Sequence, residues 1–224
     1  MHTVGKDIVD KNGNKIILKG MGLGGWLVPE GYMLGTWGSP TSIRDRITEL
    51  IGEDSTAIFY EQFEKNYVAE KDIAKLSEWG FNSVRLPFHY KNLSTEYGSY
   101  NEKGFSIIDS VLAWCTRNEI YLILDMHVAP GSQSEDANAD GDAGANLWES
   151  SLNQDWSIDI WGEIARRYAS EEWIGGYDLI NEPVLYNGGA RVRNLQRRMR
   201  NRIRKYDQNH ILFVNGNMWS RAFE

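Results

Sequence analysis

Apolar runs typical of buried strands alternate along this chain with segments of helical periodicity. Most of these runs are short and continuous, as expected for strands that are buried on both faces. Helices between such strands indicate a parallel sheet built from strand-helix units. The predicted strands are Ile17–Gly25, Ser83–Phe88, Tyr121–His127, Gly176–Glu182 and His210–Gly216, and the predicted helices are Phe59–Trp79, Phe105–Asn118, Trp156–Tyr168 and Arg191–Tyr206.

A small hairpin is predicted before this alternation begins. Two β-rich runs flank the pair Asn12-Gly13 in the stretch "DIVDKNGNKIILKG". Asn-Gly is the pair that most readily supplies the two positive φ angles of a type I′ turn. The sequence therefore predicts an N-terminal β-hairpin that is closed by this turn.

Polar residues gather at the carboxyl ends of the predicted strands. An open dinucleotide-binding sheet would instead concentrate its motif in a Gly-rich first turn, but "GMGLGG" leads to Pro29 and Gly31 rather than to a helix start. An α/β fold of the (β/α)8 TIM-barrel type explains the pattern better, because strand ends ring the site of such a barrel. We expect one domain over residues 1–224. The second strand contains Arg85, and the residues that end or follow the strands are Trp26, Glu30, His89, Asp125, His127, Asn181, Glu182, Asn215 and Asn217.

Composition narrows the class of partner. The chain has 224 residues, a formal charge of -7 and 42% hydrophobic residues. This acidic balance argues against nucleic acid as the main partner, and an uncharged substrate fits better. No run of about 18 apolar residues predicts a membrane span, and the first residues lack the basic-then-apolar pattern of a signal peptide. The single cysteine, Cys115, excludes an intrachain disulfide.

A carboxylate stands at the end of a predicted buried strand in the stretch "LINEPV". Glu182, beside Pro183 and Val184 and at the mouth of a water-poor barrel, is suited to the role of a general acid. Asn181 offers an amide donor and acceptor to a substrate hydroxyl. The alternative is that Asn-Glu-Pro is a plain strand-to-turn junction with a solvated glutamate.

Several motifs occur together and in order along the chain. They are "KGMGLGGWLVPEGYM", "WGFNSVRLPFHY", "LILDMHVAPGSQ", "LINEP" and "HILFVNGNMW". With these motifs the chain resembles glycoside hydrolase family 5, the retaining β-glycanases with a (β/α)8 barrel that include many cellulases. The resemblance covers nearly the whole chain. It implies hydrolysis of O-glycosidic bonds in a β-glucan polysaccharide or oligosaccharide, with no cofactor and no metal.

The resemblance also implies a role for each matching residue. Glu182 matches the general acid/base, and Asn181 matches the residue that hydrogen-bonds the sugar 2-hydroxyl. Arg85 matches the arginine held near the nucleophile, and His127 matches the histidine that lines the subsite next to the cleavage point. His89 is a weaker substrate-binding candidate, because the family varies there.

The sequence does not decide which type of glycosidic linkage is cleaved. Glu30 resembles the glutamate that binds the sugar at the inner subsite in the exo-1,3-glucanase branch of the family, and the segment "APGSQ" at 129–133 resembles that branch too. The commonest target in the family, by contrast, is the β-1,4 linkage. Neither linkage, nor endo against exo action, is decided by these residues.

Some of these residues also have structural interpretations. Arg85 fits a buried arginine paired with Asp125 across neighbouring strands, and His127 fits a core histidine with satisfied hydrogen bonds. Trp26 and Trp148, near a strand end and in a loop, are candidates for stacking against a sugar ring.

The segment that starts at residue 136 partly matches the pattern of a calcium-binding loop. The stretch "DANADG" has oxygen ligands at positions one, three and five and glycine at position six, but position twelve falls on Leu147, which cannot bind a metal ion. A polar surface loop is therefore the favoured interpretation.

The resemblance implies eight strands, whereas the sequence predicts five. The nucleophilic glutamate of the family lies at the end of strand seven, so no nucleophile is expected in this chain. Retaining hydrolysis needs two carboxyl groups about 5 to 5.5 Å apart, and only Asp125 and Glu149 are nearby substitutes. We expect an amino-terminal piece of a longer enzyme that is secreted or periplasmic in its full-length form.

Two hypotheses from different classes follow. The first is a β-glucan hydrolase whose activity depends on a second half. The second is a catalytically inactive half-barrel that binds sugar weakly or self-associates through the exposed edges of strands one and five.

Overall fold

Two β-sheets are present in the computed structural model, which describes residues 1–223. An antiparallel sheet opens the chain and consists of β1 (His2–Val4), β2 (Asp7–Val9) and β3 (Lys15–Ile16). A parallel sheet follows, and its spatial order is the order along the chain: β4 (Gly20–Gly22), β5 (Ser83–His89), β6 (Tyr121–Val128), β7 (Ile174–Asp178) and β8 (Leu212–Phe213). The parallel strand-helix arrangement predicted from the sequence is thus confirmed.

The predicted N-terminal hairpin is present, but its turn differs from the prediction. Gly13 has a φ of +83°, whereas Asn12 is not among the residues with positive φ. The amide of Gly13 donates to the carbonyl of Asp10 at 3.1 Å, and the amide of Asp10 donates to the carbonyl of Asn14 at 2.9 Å. A three-residue loop of this kind needs only one positive φ angle. The expectation of a type I′ turn is therefore wrong.

Helices fill the connections between the parallel strands. Ser39, Asn101 and Ser150 accept hydrogen bonds from backbone amides of the first turns that follow them, which satisfies donors that a helix leaves free. Short 3₁₀ turns occupy Ala137–Ala139 and Gly141–Ala143. The helices are α1 (Gly31–Leu34), α2 (Pro40–Ile51), α3 (Glu53–Tyr67), α4 (Glu70–Glu78), α5 (Tyr90–Leu93), α6 (Glu102–Arg117), α7 (Ser151–Tyr168), α8 (Gly189–Ile203) and α9 (Asn217–Ser220).

The helix predicted over Phe59–Trp79 is two helices in the structure. Val68 and Ala69 have extended backbone angles between α3 and α4. The carboxylate of Asp72 accepts a hydrogen bond from the amide of Ala69 at 2.8 Å, which starts α4 afresh. Helical periodicity continues across the break, which is why the sequence pattern did not reveal it.

The core lies between the parallel sheet and the helices that cover it. Phe88 of β5, Trp161 of α7 and Tyr177 of β7 have no solvent exposure. Their ring centroids are 5.9 Å apart for Phe88 and Trp161 and 5.6 Å apart for Trp161 and Tyr177. Aromatic contacts of this kind stabilise a fold beyond the area that they bury. They fix the middle of the sheet, on whose carboxyl edge the polar residues lie.

Helix α8 is amphipathic and rich in arginine. Its apolar residues Val192, Leu195, Met199 and Ile203 recur at helical spacing and are buried. In the part of the chain that the structure describes, no helix has the length and apolar character needed to cross a membrane.

Candidate active site

Three neighbouring strands bring the predicted polar residues to one edge of the sheet. Arg85 lies in β5, Asp125 and His127 lie in β6, and Asn181 and Glu182 come shortly after the end of β7 at Asp178. Because the strands are parallel, their carboxyl ends meet at the same edge. The structure therefore gathers side chains that are far apart in the sequence.

Arg85 is held between two buried carboxylates. Its Nη1 lies 3.0 Å from Asp125 Oδ2, and its Nε lies 3.0 Å and its Nη2 2.9 Å from Asp178 Oδ2. Nη2 also donates to Asn181 Oδ1 at 2.9 Å. The pairing with Asp125 that the sequence suggested as an alternative is present, and so is a link to the predicted sugar-binding amide. The bond to Asn181 fixes which way its side-chain NH2 group points.

Asp178 is a residue that the sequence analysis missed. It is buried at the end of β7, and its Oδ1 accepts a hydrogen bond from Asn215 Nδ2 at 2.5 Å. Burial and the neighbouring charge of Asp125 raise the pKa of Asp178 to about 6, against the opposing influence of Arg85. An aspartate inside an otherwise apolar strand was the available clue.

His127 is buried and bonded on both sides. Its Nδ1 lies 2.7 Å from Asp125 Oδ2, and its Nε2 lies 3.4 Å from Asn181 Nδ2. Burial acts to lower the pKa of His127, but the charge and hydrogen bond of Asp125 prevail and raise it. The carboxylate of Asp125 thus orients the ring at the edge where Asn181 lies.

Gln133 joins the ends of two strands. Its Nε2 donates to the carbonyl of His127 at 2.7 Å and to the carbonyl of Asn181 at 3.0 Å. Its Oε1 accepts from the amide of Ala129 at 3.1 Å. This buried side chain, the last residue of "APGSQ", therefore holds His127 and Asn181 in a fixed relation, a role that the motif alone did not reveal.

Glu182 is half-buried and stands in an unusual backbone conformation. Its φ is +42°, a region that non-glycine residues seldom occupy and that often marks functional positions. Asn138 Nδ2 lies 3.4 Å from Glu182 Oε2. Glu30 is buried, and burial raises its pKa; the nearby charge of Glu182 adds to this effect, while that of His127 opposes it. The structure thus brings Glu30 and Glu182 into electrostatic contact.

His89 is engaged in structural contacts. Its Nε2 lies 3.1 Å from Asp140 Oδ2, and its Nδ1 accepts a hydrogen bond from the amide of Lys91 at 3.1 Å. Burial lowers the pKa of His89, against the opposing influence of Asp140. Both ring nitrogens have partners in the protein, and substrate binding by His89 stays a prediction.

Trp26 and Trp148 are core residues rather than exposed platforms. Each has 3% of its surface exposed. The indole of Trp26 donates to the carbonyl of Glu64 at 2.8 Å, and that of Trp148 donates to the carbonyl of Gln133 at 3.0 Å. A ring this deeply buried offers no face for stacking, so the prediction of sugar platforms is wrong for both.

The two carboxylates considered as substitute nucleophiles are both occupied or remote. Asp125 is fully buried and bonded to Arg85 and His127. Glu149 is exposed and forms an ion pair with Arg191 at 3.1 Å. Both carboxylates are therefore engaged in ion pairs within the protein.

Comparisons with known proteins agree with this arrangement. Residues 44–224 match the family model described as cellulase (glycosyl hydrolase family 5). A β-xylosidase of Phanerodontia chrysosporium is 35% identical over 223 residues, which are 98% of this chain and 46% of the relative. Endoglucanase C of Acetivibrio thermocellus is 33% identical over 169 residues, which are 75% of this chain and 48% of the relative. The chain thus spans about half the length of these curated relatives.

Solved structures show the same fold. A glycoside hydrolase superposes with a TM-score of 0.58 at 28% identity, covering 67% of this chain and 47% of the other. Rutinosidase from Aspergillus niger superposes with a TM-score of 0.74 at 16% identity, covering 89% of this chain and 62% of the other, and supports the fold alone. The predicted α/β fold of the (β/α)8 type is confirmed, represented by five strands in residues 1–223. Family model, relatives and fold agree: this chain belongs to glycosyl hydrolase family 5.

Proposed function

We propose that the whole protein hydrolyses O-glycosidic bonds of β-glucans by a retaining double displacement, with Glu182 as the general acid/base. The observation that carries this proposal is the position of Glu182 at the carboxyl edge of the sheet, next to Asn181 and the ordered group of Arg85 and His127. A carboxyl group so placed protonates the leaving oxygen in the first step and removes a proton from water in the second.

Asn181 supports the proposal through its fixed orientation. Its Oδ1 accepts from Arg85, so its Nδ2 remains the end that can donate toward a sugar hydroxyl. The backbone carbonyl of Asn181 is held by Gln133. Hydrogen bonds to the 2-hydroxyl that strengthen in the transition state contribute to glycoside hydrolysis. We assign this role to Asn181, with Arg85 as its positioning residue.

The second carboxylate of a retaining pair is proposed to lie outside the described residues. Glu30 is close enough to Glu182 to feel its charge, but it resembles a sugar-binding glutamate of the family rather than the nucleophile. Asp125 is engaged with Arg85 and His127, and Glu149 with Arg191. The chain would then supply the acid/base half of the site.

The substrate class is proposed from the relatives. The relatives, about half of whose length this chain spans, include endoglucanases and a glucan 1,3-β-glucosidase of Blumeria graminis. The glucosidase is 29% identical to this chain over 183 residues. The buried Glu30 near Glu182 favours the exo-1,3 alternative, because it resembles the glutamate that binds the sugar at the inner subsite in that branch of the family. The name of the Phanerodontia relative adds β-xylosides to the substrates worth testing.

Turnover and binding by the purified chain test these proposals. Release of reducing sugar is measured from soluble cellulose derivatives, laminarin and xylan, and calorimetry measures binding of the matching tetrasaccharides. We expect binding of at least one β-glucan tetrasaccharide, little change on Glu182→Gln, and weaker binding on Asn181→Ala. Absence of all binding by the folded chain would contradict the proposed site.

Two further proposals concern location and assembly. We propose that the full-length protein is secreted or periplasmic, since polymeric glucans lie outside the cell. The edges of the parallel sheet, β4 and β8, each have one neighbour in residues 1–223. Free strand edges favour pairing with another chain, so we expect the isolated chain to self-associate, which sedimentation at several concentrations would reveal.

A further inference from the structure

A tryptophan stands out in solvent close to the proposed site. Trp37 lies in the loop between α1 and α2 and has 84% of its surface exposed. Tyr32, in the same connection, has 80% of its surface exposed. Large aromatic side chains this exposed, when they lie together at a cleft, often mark a binding surface. The sequence analysis considered other tryptophans and missed this one.

The loop that carries Trp37 is anchored at both ends. The amide of Thr36 donates to the carbonyl of Gly31 at 2.9 Å, and the guanidinium of Arg46 donates to the carbonyl of Trp37. A Cβ at Gly31 would lie 2.8 Å from the carbonyl oxygen of Thr36, so the two segments pack closely. The backbone beneath the exposed ring is therefore held in place.

The opposite wall is the loop that imitates a calcium site. Asp140 accepts hydrogen bonds from the amide of Thr41 at 2.9 Å and from its hydroxyl at 2.6 Å, and Asp142 accepts from the hydroxyl of Ser39 at 2.6 Å. Ser39 and Thr41 belong to the start of α2, directly after the Trp37 loop. The carboxylates of Asp140 and Asp142 thus join the loop after residue 136 to the segment that carries Trp37.

A cleft of about 410 Å³ lies between these walls. Its lining includes Glu30, Tyr32, Trp37 and Asn138. Asn138 also reaches Glu182, with Nδ2 and Oε2 3.4 Å apart. The cleft therefore continues from the proposed acid/base residue and shares Glu30 and Asn138 with its surroundings.

We propose that this cleft binds the sugar unit next to the one that contacts Glu182, with Trp37 as its stacking platform. Pyranose rings have apolar faces that pack on an indole, and their equatorial hydroxyls suit the carboxyl group of Glu30 and the amide of Asn138. The inference rests on the proposed function of Glu182 and adds a second position along the chain of sugars. It also assigns the imitation calcium loop a role as a wall of this cleft.

Calorimetric titration of the 224-residue chain with cellotetraose and laminaritetraose tests the inference. We expect Trp37→Ala to weaken binding of the preferred tetrasaccharide by about three- to tenfold, since stacking contacts contribute on this scale. Trp37→Phe keeps an aromatic face and should retain most of the affinity. Trp79→Ala is the matched control, because Trp79 is also exposed, at 65%, and follows α4 away from the cleft.

The outcomes separate this inference from the proposed function. If the wild type binds a tetrasaccharide and Trp37→Ala binds it equally well, the cleft is not a sugar site, while the proposed role of Glu182 stands. An equal loss in Trp37→Ala and Trp79→Ala also overturns the inference, because the effect would not be local. If the folded wild type binds neither tetrasaccharide, both the inference and the proposed function fail.

Discussion

Replacing Asp178 by asparagine should change how the stability of the fold depends on pH. Asp178 is buried beside Asp125, and its pKa in the folded protein is about 6 against an ordinary value of 3.8. Below about pH 4 the group is protonated in the folded and unfolded states and contributes no difference. Above about pH 6 it is ionised in both states, and the folded state bears the cost of a buried charge. Its contribution to the free energy of unfolding therefore falls as pH rises between these values.

The magnitude follows from the difference between the two pKa values. A difference of about two pH units corresponds to about 3 kcal/mol. Between pH 4 and pH 7 the wild type should lose about 3 kcal/mol more stability than Asp178→Asn, in which this group cannot ionise. Titrating groups that do not interact with Asp178 are common to both proteins, so their contributions cancel in the comparison.

Urea unfolding at a series of pH values, followed by circular dichroism, measures this difference. The matched control is Asp54→Asn, an exposed aspartate in the first turn of α3. We expect the control to follow the wild-type pH dependence. If Asp178→Asn also follows it, the buried pair of carboxylates around Arg85 does not have the electrostatic character inferred from its burial.

Two other substitutions test the local structure around the site. Gln133→Leu removes the hydrogen bonds to the buried carbonyls of His127 and Asn181. Because unsatisfied buried groups are costly, the free energy of unfolding in urea should fall by about 3 kcal/mol, and tetrasaccharide binding should weaken. Unchanged binding would show that Gln133 does not position these residues. Gly104→Ala should destabilise the protein by more than about 1 kcal/mol, because the added Cβ in α6 would lie 1.8 Å from the carbonyl oxygen of Asn92. This clash should outweigh the preference of alanine for helices. A higher melting temperature of the variant would contradict this expectation.

The sequence was informative where local pattern decides the outcome. Continuous apolar runs located the parallel strands, and the polar residues that end them converge because parallel strands share one carboxyl edge. The positions of Arg85 within its strand and of His127 and Asn181 near the ends of theirs were therefore enough to predict that the three lie together. The hairpin at Gly13 was also predictable, although its turn type depended on a backbone angle at Asn12 that the pair does not dictate.

The remainder depended on contacts between distant parts of the chain. Asp178 was hidden in an apolar strand, and its partner Arg85 is 93 positions away. Whether a tryptophan is buried, as Trp148 is, or exposed, as Trp37 is, depends on which segment packs over it. His89 bonds to Asp140, in the loop that the sequence predicts as a polar surface loop.

Formate-dependent release of methanol from methyl β-cellobioside and methyl β-laminaribioside by the purified 224-residue chain tests the central claim most directly. Formate can attack the anomeric carbon in place of a nucleophilic carboxylate and form a glycosyl formate, while the methoxide that leaves must take a proton from the general acid. We predict no turnover without formate, turnover with concentrated sodium formate, and a loss of about a hundredfold on Glu182→Gln. Equal formate-dependent rates in the wild type and in Glu182→Gln would contradict the role of Glu182, and turnover without formate would contradict a nucleophile outside the described residues.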